Sequence, residues 1–156
     1  MDNILMYSEF GEDDLFPKTP GSAGIDLRIT KDLEIMPKTT VLVGTGVKVA
    51  CPPGYYFMIT LRSSMGKNML IPNSPGIIDS DYRGEIKLRL FNTSIAGLKL
   101  KKGARVAQMI LCKLPKEVTY FTHEDYDEYE AKVSEFDSEV HAENVRGTGG
   151  FGSTGK

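Results

Sequence analysis

The sequence has no apolar run of membrane-spanning length and no internal repeat, and only two cysteines and two histidines among its 156 residues. A spanning helix needs about 20 consecutive apolar residues, so none is predicted. The N-terminal MDNILMYSEF has neither the basic flank nor the cleavage site of an export signal. The expectation is a soluble, unprocessed protein that is not secreted. It would be cytoplasmic or otherwise intracellular (nuclear or host-cell for a eukaryotic or viral source). Cys51 and Cys112 stand alone in apolar, strand-like contexts and are predicted to be buried free thiols. CxxC and HxxxH spacings are absent, and His123 and His141 fall outside every motif described below. Both absences argue against a protein-ligated zinc. A formal charge of −2 gives no general attraction for nucleic acid.

The length fits one domain, and 40% hydrophobic residues suffice for a real core. Short β-prone runs dominate: 25–29, 39–43, 47–50, 55–61, 85–91 and 105–112. Turn residues separate them, among them Pro20-Gly21, Pro52-Pro53-Gly54 and Pro75-Gly76. From Glu85 to Leu90 the chain alternates. Ile86, Leu88 and Leu90 share one face, and Glu85, Lys87 and Arg89 the other, as in a half-buried antiparallel strand. The pattern predicts an all-β sandwich or barrel.

One segment differs. Over 124–144 the apolar residues Tyr126, Tyr129, Val133, Phe136 and Val140 fall at steps of three and four, one stripe of a helix. Thr122 followed by Asp125 resembles a capping box with aspartate in place of glutamate. The opposite face is acidic, with Asp125, Asp127, Glu128, Glu130, Glu135, Asp137 and Glu139. It reads either as a solvated face or as a docking surface for a basic regulatory partner.

Several fragments carry polar groups that chemistry could use. The chain ends in RGTGGFGSTGK, whose glycines cannot build a core but could close over a ligand. Its alternative is a disordered tail. In GIIDSDYRG, Asp79 could accept a proton from a water or simply cap a turn. Tyr82 is by default a core aromatic. Arg62-Ser63-Ser64 suits phosphate oxygens. Asp26 interrupts the apolar AGIDL, where an unpaired charge is costly, and suggests a ligand-facing role. Gln108 interrupts RVAQMI, with a hydrogen-bonded core amide as its default.

Together and in this order, AGIDL, RSSMG, GIIDSDYRG, RVAQMIL and RGTGGFGSTG closely resemble the five signature motifs of the trimeric dUTPase family, over about 21–155. The resemblance implies an all-β jelly-roll or β-clip type barrel that assembles as a homotrimer with shared active sites. It implies a core over 1–121, an acidic helical insertion over 122–145 and an arm over 146–156 that closes the site. The implied reaction is dUTP plus water giving dUMP and pyrophosphate, with Mg²⁺ on the triphosphate. By the same resemblance, Asp79 is the base that primes the attacking water, and Gln108 lies near that water and the α-phosphate. Asp26 holds the metal's water shell. Arg62, Ser63 and Ser64 bind phosphate, and Arg146, Ser153 and Thr154 the γ-phosphate, with Gly152 beside them. Phe151 stacks on uracil. The hairpin between Asn73 and Lys87 reads the base through Asn73, Ile77, Ile78 and Lys87, and Tyr82 excludes a 2′-hydroxyl. Three features depart from the family pattern. Ser64 stands where glycine is frequent, Ala104 where aspartate is usual, and the distance from Gln108 to Arg146 is long. A related class, dCTP deaminase, shares the fold and an RSS segment, but Tyr82 and the GGFGSTG arm favour the hydrolase. A non-enzymatic nucleotide-dependent binding protein is the other alternative.

Overall fold

The computed structural model describes residues 3–115 and 119–139. Two compact units are present, one within Met1–Lys116 and one within Glu117–Lys156.

The first unit is built from β1 (Leu5–Ser8), β2 (Ile25–Arg28), β3 (Leu33–Ile35), β4 (Thr40–Gly44), β5 (Val47–Ala50), β6 (Tyr55–Leu61), β7 (Met69–Leu70), β8 (Gly76–Ile78), β9 (Lys87–Asn92), β10 (Leu98–Leu100) and β11 (Arg105–Lys113). Every pair is antiparallel. One sheet has the order β2-β11-β6-β8 and another β4-β9-β7, while β1 pairs with β5 and β10 with β3. The predicted strands at 47–50 and 55–61 have those bounds in the structure, and the others shift at their ends. Five strands had no prediction: β1, β3, β7, β8 and β10. Each has four residues or fewer, so little or no period is on display in any of them.

The alternation over 85–90 is realised. Ile86, Leu88 and Leu90 are buried, and Lys87 and Arg89 exposed. They join Leu27, Ile29, Phe57, Ile59, Val106 and Met109 in one core. Fully burying such a side chain contributes about 1.5–3 kcal/mol, which makes these alternating strands the main source of stability. Asn92 is the polar exception. Its buried amide donates to Ile35 O at 2.9 Å and Ala96 O at 2.7 Å, and its oxygen accepts from the Ser94 N–H and hydroxyl. With these partners it can sit in the core without a desolvation penalty. Cys51 and Cys112 are both free, but only Cys51 is buried. Cys112 lies near the end of β11, where the strand leaves the core, and is half-exposed.

In the second unit a 3₁₀ turn (His123–Asp125) leads into α1 (Tyr126–Glu139). The Asp125 carboxylate accepts from the Thr122 N–H at 3.2 Å and hydroxyl at 2.7 Å, so the capping pair fixes the helix start. The predicted helix extended over 124–144, of which 140–144 lie outside the described residues. Along the stripe Tyr126, Tyr129 and Phe136 are exposed, and α1 contains no buried residue. Its ring contacts are local: Phe121 meets Tyr129 edge-on at 5.7 Å, and Tyr126 lies 6.0 Å from Tyr129.

Candidate functional site

The centre of the four-stranded sheet brings two of the interrupting polar residues together. Asp26 on β2 stands directly opposite Gln108 on β11, which stands opposite Thr60 on β6. Cross-strand partners share a face, so Asp26 and Gln108 project to the same side. A bulge in β11 between Arg105 and Ala107 places Arg105 opposite Arg28. The extra residue reverses the strand's alternation, which turns Arg105 onto the face that carries Asp26. Arg62 follows β6 directly, and its N–H donates to Val106 O at 3.0 Å, which extends the sheet by one residue.

The result is a charge cluster. Arg62 Nε lies 3.0 Å from Asp26 Oδ1, and Arg105 Nε lies 3.6 Å from Asp26 Oδ2. Asp26 therefore lies between two guanidinium groups, which offset part of the cost of placing a carboxylate in a sheet interior, while its buried Oδ2 and Arg105 Nε make no hydrogen bond. This cluster borders a cleft of about 290 Å³, also lined by Lys18, Ser22, Ser63 and Gln108. Three cations and one carboxylate at or beside this cleft favour a multiply charged anion. Ser64 lines a separate depression with Lys67 and Leu98 and is not part of the cleft.

The Asn73–Lys87 segment is not a hairpin. β8 pairs with β6 in one sheet, and β9 pairs with β4 and β7 in another, so 79–86 crosses between sheets. Eight residues with three acids, an arginine and a glycine are too long and too polar for a tight return. Asp79 is exposed at the start of this crossing, and its C=O accepts from the Tyr82 N–H at 3.1 Å. The Tyr82 hydroxyl donates to Glu85 O at 2.9 Å. Ile77 and Tyr82 are half-exposed apolar side chains at 51% and 41%, a surface on which a flat ligand could rest. Asn73, Ile78 and Lys87 flank them in sequence. None of these crossing residues lines the cleft.

The structure thus forms two groups from the predicted residues: Asp26, Arg62, Ser63 and Gln108 in the cleft, and Asn73, Ile77, Ile78, Asp79, Tyr82 and Lys87 along the crossing. Arg146, Phe151, Gly152, Ser153 and Thr154 lie outside the described residues. Sequence reasoning missed Lys18, Ser22 and Arg105 as members or neighbours of the cleft. Lys18 and Ser22 belong to an irregular segment with no period. Arg105 opens RVAQMIL, but only the bulge brings it to Asp26.

A sequence model of the dUTPase family matches residues 12–155. The chain belongs to the dUTPase family. Among curated relatives, the deoxyuridine 5′-triphosphate nucleotidohydrolase of Zymomonas mobilis is 36% identical over 137 residues, covering 86% of this chain and 83% of that one. The Helicobacter pylori (strain P12) protein of the same name is 37% identical over 145 residues, covering 90% and 89%. Among solved structures, the Streptococcus mutans dUTPase superposes with a TM-score of 0.64 at 28% identity, over 74% of this chain and 98% of that one. The mostly-β architecture, with one short α-helix among the described residues, agrees with the β-clip fold. Among the described residues no helix is long and apolar enough to cross a membrane.

Proposed function

We propose that the protein hydrolyses dUTP to dUMP and pyrophosphate, limiting uracil in DNA and supplying dUMP for dTTP synthesis. The observation that carries this reading is the register that sets Asp26 against Gln108 beside Arg62, in a cleft suited to phosphates, in a chain of this family.

Asp26 is a single carboxylate between two arginines, and the described residues contain no group of three or more acidic, histidine or cysteine side chains placed to hold a metal ion. That donor set fits Mg²⁺ held mainly by phosphate oxygens and water, with Asp26 reaching its water shell. When bound, the ion would neutralise charge on the triphosphate. Arg62 and Ser63 bind phosphate oxygens. The Ser64 side chain opens elsewhere, so its part in the phosphate segment falls to its backbone N–H. Gln108 orients the attacking water beside the α-phosphorus, and Asp79 takes its proton. General-base help of this kind contributes about 10²–10⁴-fold.

Main-chain groups near Ile77, Ile78 and Lys87, with the Asn73 amide, read the uracil edge. Cytosine would leave buried polar groups unpaired. Tyr82 lies against the deoxyribose and leaves no room for a 2′-hydroxyl. Because Asp79 and Tyr82 do not line the cleft of their own chain, a jelly-roll homotrimer in which neighbours complete each site accounts for the separation. Arg146, Phe151, Gly152, Ser153 and Thr154 would then close over the γ-phosphate and base.

Pyrophosphate release from dUTP, dTTP, dCTP and UTP with Mg²⁺ tests this directly. Release from dUTP alone is expected. Ammonia from dCTP would establish the deaminase instead.

The exposed Tyr126, Tyr129 and Phe136 on an acidic helix favour a second role, docking of a basic regulatory protein. Deleting 124–144 should leave hydrolysis intact and abolish retention of such a partner.

A further inference from the structure

The crossing that carries Tyr82 is fixed at its far end through two adjacent residues, Glu85 and Ile86, neither of which has a catalytic role. Glu85 Oε1 accepts from the Gly46 N–H at 2.9 Å. Gly46 closes the turn between β4 and β5. The carboxylate reaches this N–H only because Gly44 has no side chain: a β-carbon there would lie 2.2 Å from Glu85 Oε1. The next residue is fixed equally well. Thr45 is fully buried, its hydroxyl donates to Ile86 O at 2.7 Å, and Ile86 N–H donates to Val47 O at 2.9 Å.

Glu85 also meets Tyr82, through its backbone. The Tyr82 hydroxyl donates to Glu85 O at 2.9 Å, and the ring lies on Gly84, where a β-carbon would come 2.4 Å from that hydroxyl oxygen. The ring is therefore held by a carbonyl whose own residue is pinned by its carboxylate to Gly46. Tyr82 is 41% exposed and has little packing of its own to define its position. A rejection based on sterics needs a wall placed within a fraction of an ångström.

We infer that Glu85 is a positioning residue for sugar selection: its carboxylate, bonded to the Gly46 N–H, fixes the carbonyl that holds the Tyr82 ring against the 2′ position of the nucleotide. This rests on the proposed role of Tyr82. Replacing Glu85 with alanine leaves the Ile86 backbone bonds as the nearest anchor, so the Glu85 carbonyl loses its own tether and lets the ring yield to a ribonucleotide. Glutamine retains an acceptor of the same reach, whereas aspartate is one methylene short.

The test compares kcat/KM for dUTP and UTP in wild type, Glu85→Ala, Glu85→Asp, Glu85→Gln and Tyr82→Ala, with melting temperature as a control. The preference for dUTP should fall about tenfold in Glu85→Ala and Glu85→Asp, the size expected for one lost hydrogen bond. It should stay near wild type in Glu85→Gln. General weakening of the fold would lower both substrates equally and leave their ratio unchanged. A lowered preference in Tyr82→Ala with an unchanged one in Glu85→Ala and Glu85→Asp overturns the inference alone. An unchanged preference in Tyr82→Ala overturns the sugar-wall reading of Tyr82, and the inference with it. Should Glu85→Ala fail to fold, Glu85→Asp decides the matter.

Discussion

Gln108 lies directly against Gly24: a β-carbon on Gly24 would come 2.6 Å from Gln108 Oε1 and 3.3 Å from its Cβ and Cδ. The glycine of AGIDL thus leaves the space in which the motif-four amide rests, and the two motifs form one unit. Gly24→Ala should swing the Gln108 side chain aside without disturbing the strands, because the clash is with a flexible side chain. The expected result is a fall in kcat of about tenfold or more with a small change in melting temperature. Steady-state kinetics with a thermal melt will check it. A normal kcat would mean that the amide's position does not matter to turnover.

Asp79→Asn preserves shape and removes the proposed base. Nucleotide binding should persist, measured by calorimetry with a non-hydrolysable analogue, while turnover drops about 10²–10⁴-fold. Near-normal turnover would place the base elsewhere.

Truncation after Val145 removes five glycines with Arg146 and Phe151. A segment of that composition adds little apolar burial, so the melting temperature should hold while kcat/KM for dUTP collapses. Loss of folding on truncation would make the segment structural.

The Asp125 carboxyl titrates below the ordinary aspartate range because the Thr122 hydroxyl and then the Thr122 N–H hydrogen-bond its charged form. A depressed folded pKa contributes stability that is present above the unfolded value, about 3.9. It is lost as pH falls through the lower folded value. The start of α1 should therefore persist through neutral and mildly acidic pH and fray only below about pH 4. The Thr122 amide shift in an NMR titration will report it, and Thr122→Val, which removes the hydroxyl but keeps the N–H, should reduce the depression.

The strands legible in the sequence were those lying in a β-prone apolar or alternating run set off by turn residues. The stretch from Ile86 to Leu90 showed its period because one face meets the core and the other meets water. β7 and β10 carry two and three residues and acquire their conformation from β9 and β3 rather than from a pattern of their own. In the cleft, Asp26 and Gln108 were visible as polar breaks in apolar runs. Their apposition depends on register, and the approach of Arg105 depends on a bulge, and neither leaves a mark on one strand alone. The supposed hairpin failed for a related reason. A turn-rich stretch between two apolar runs looks the same whether the chain returns to its neighbour or crosses to another sheet.

The separation of Asp79 from the cleft has a genetic consequence under the shared-site reading. A chain damaged at Asp79 and a chain damaged at Gln108 would each be inactive alone. Co-assembled, some of their interfaces would draw a sound copy of each residue from different partners, and part of the activity would return. Conversely, one defective subunit would impair sites it does not wholly own, so a loss-of-function allele could act dominantly over the normal one.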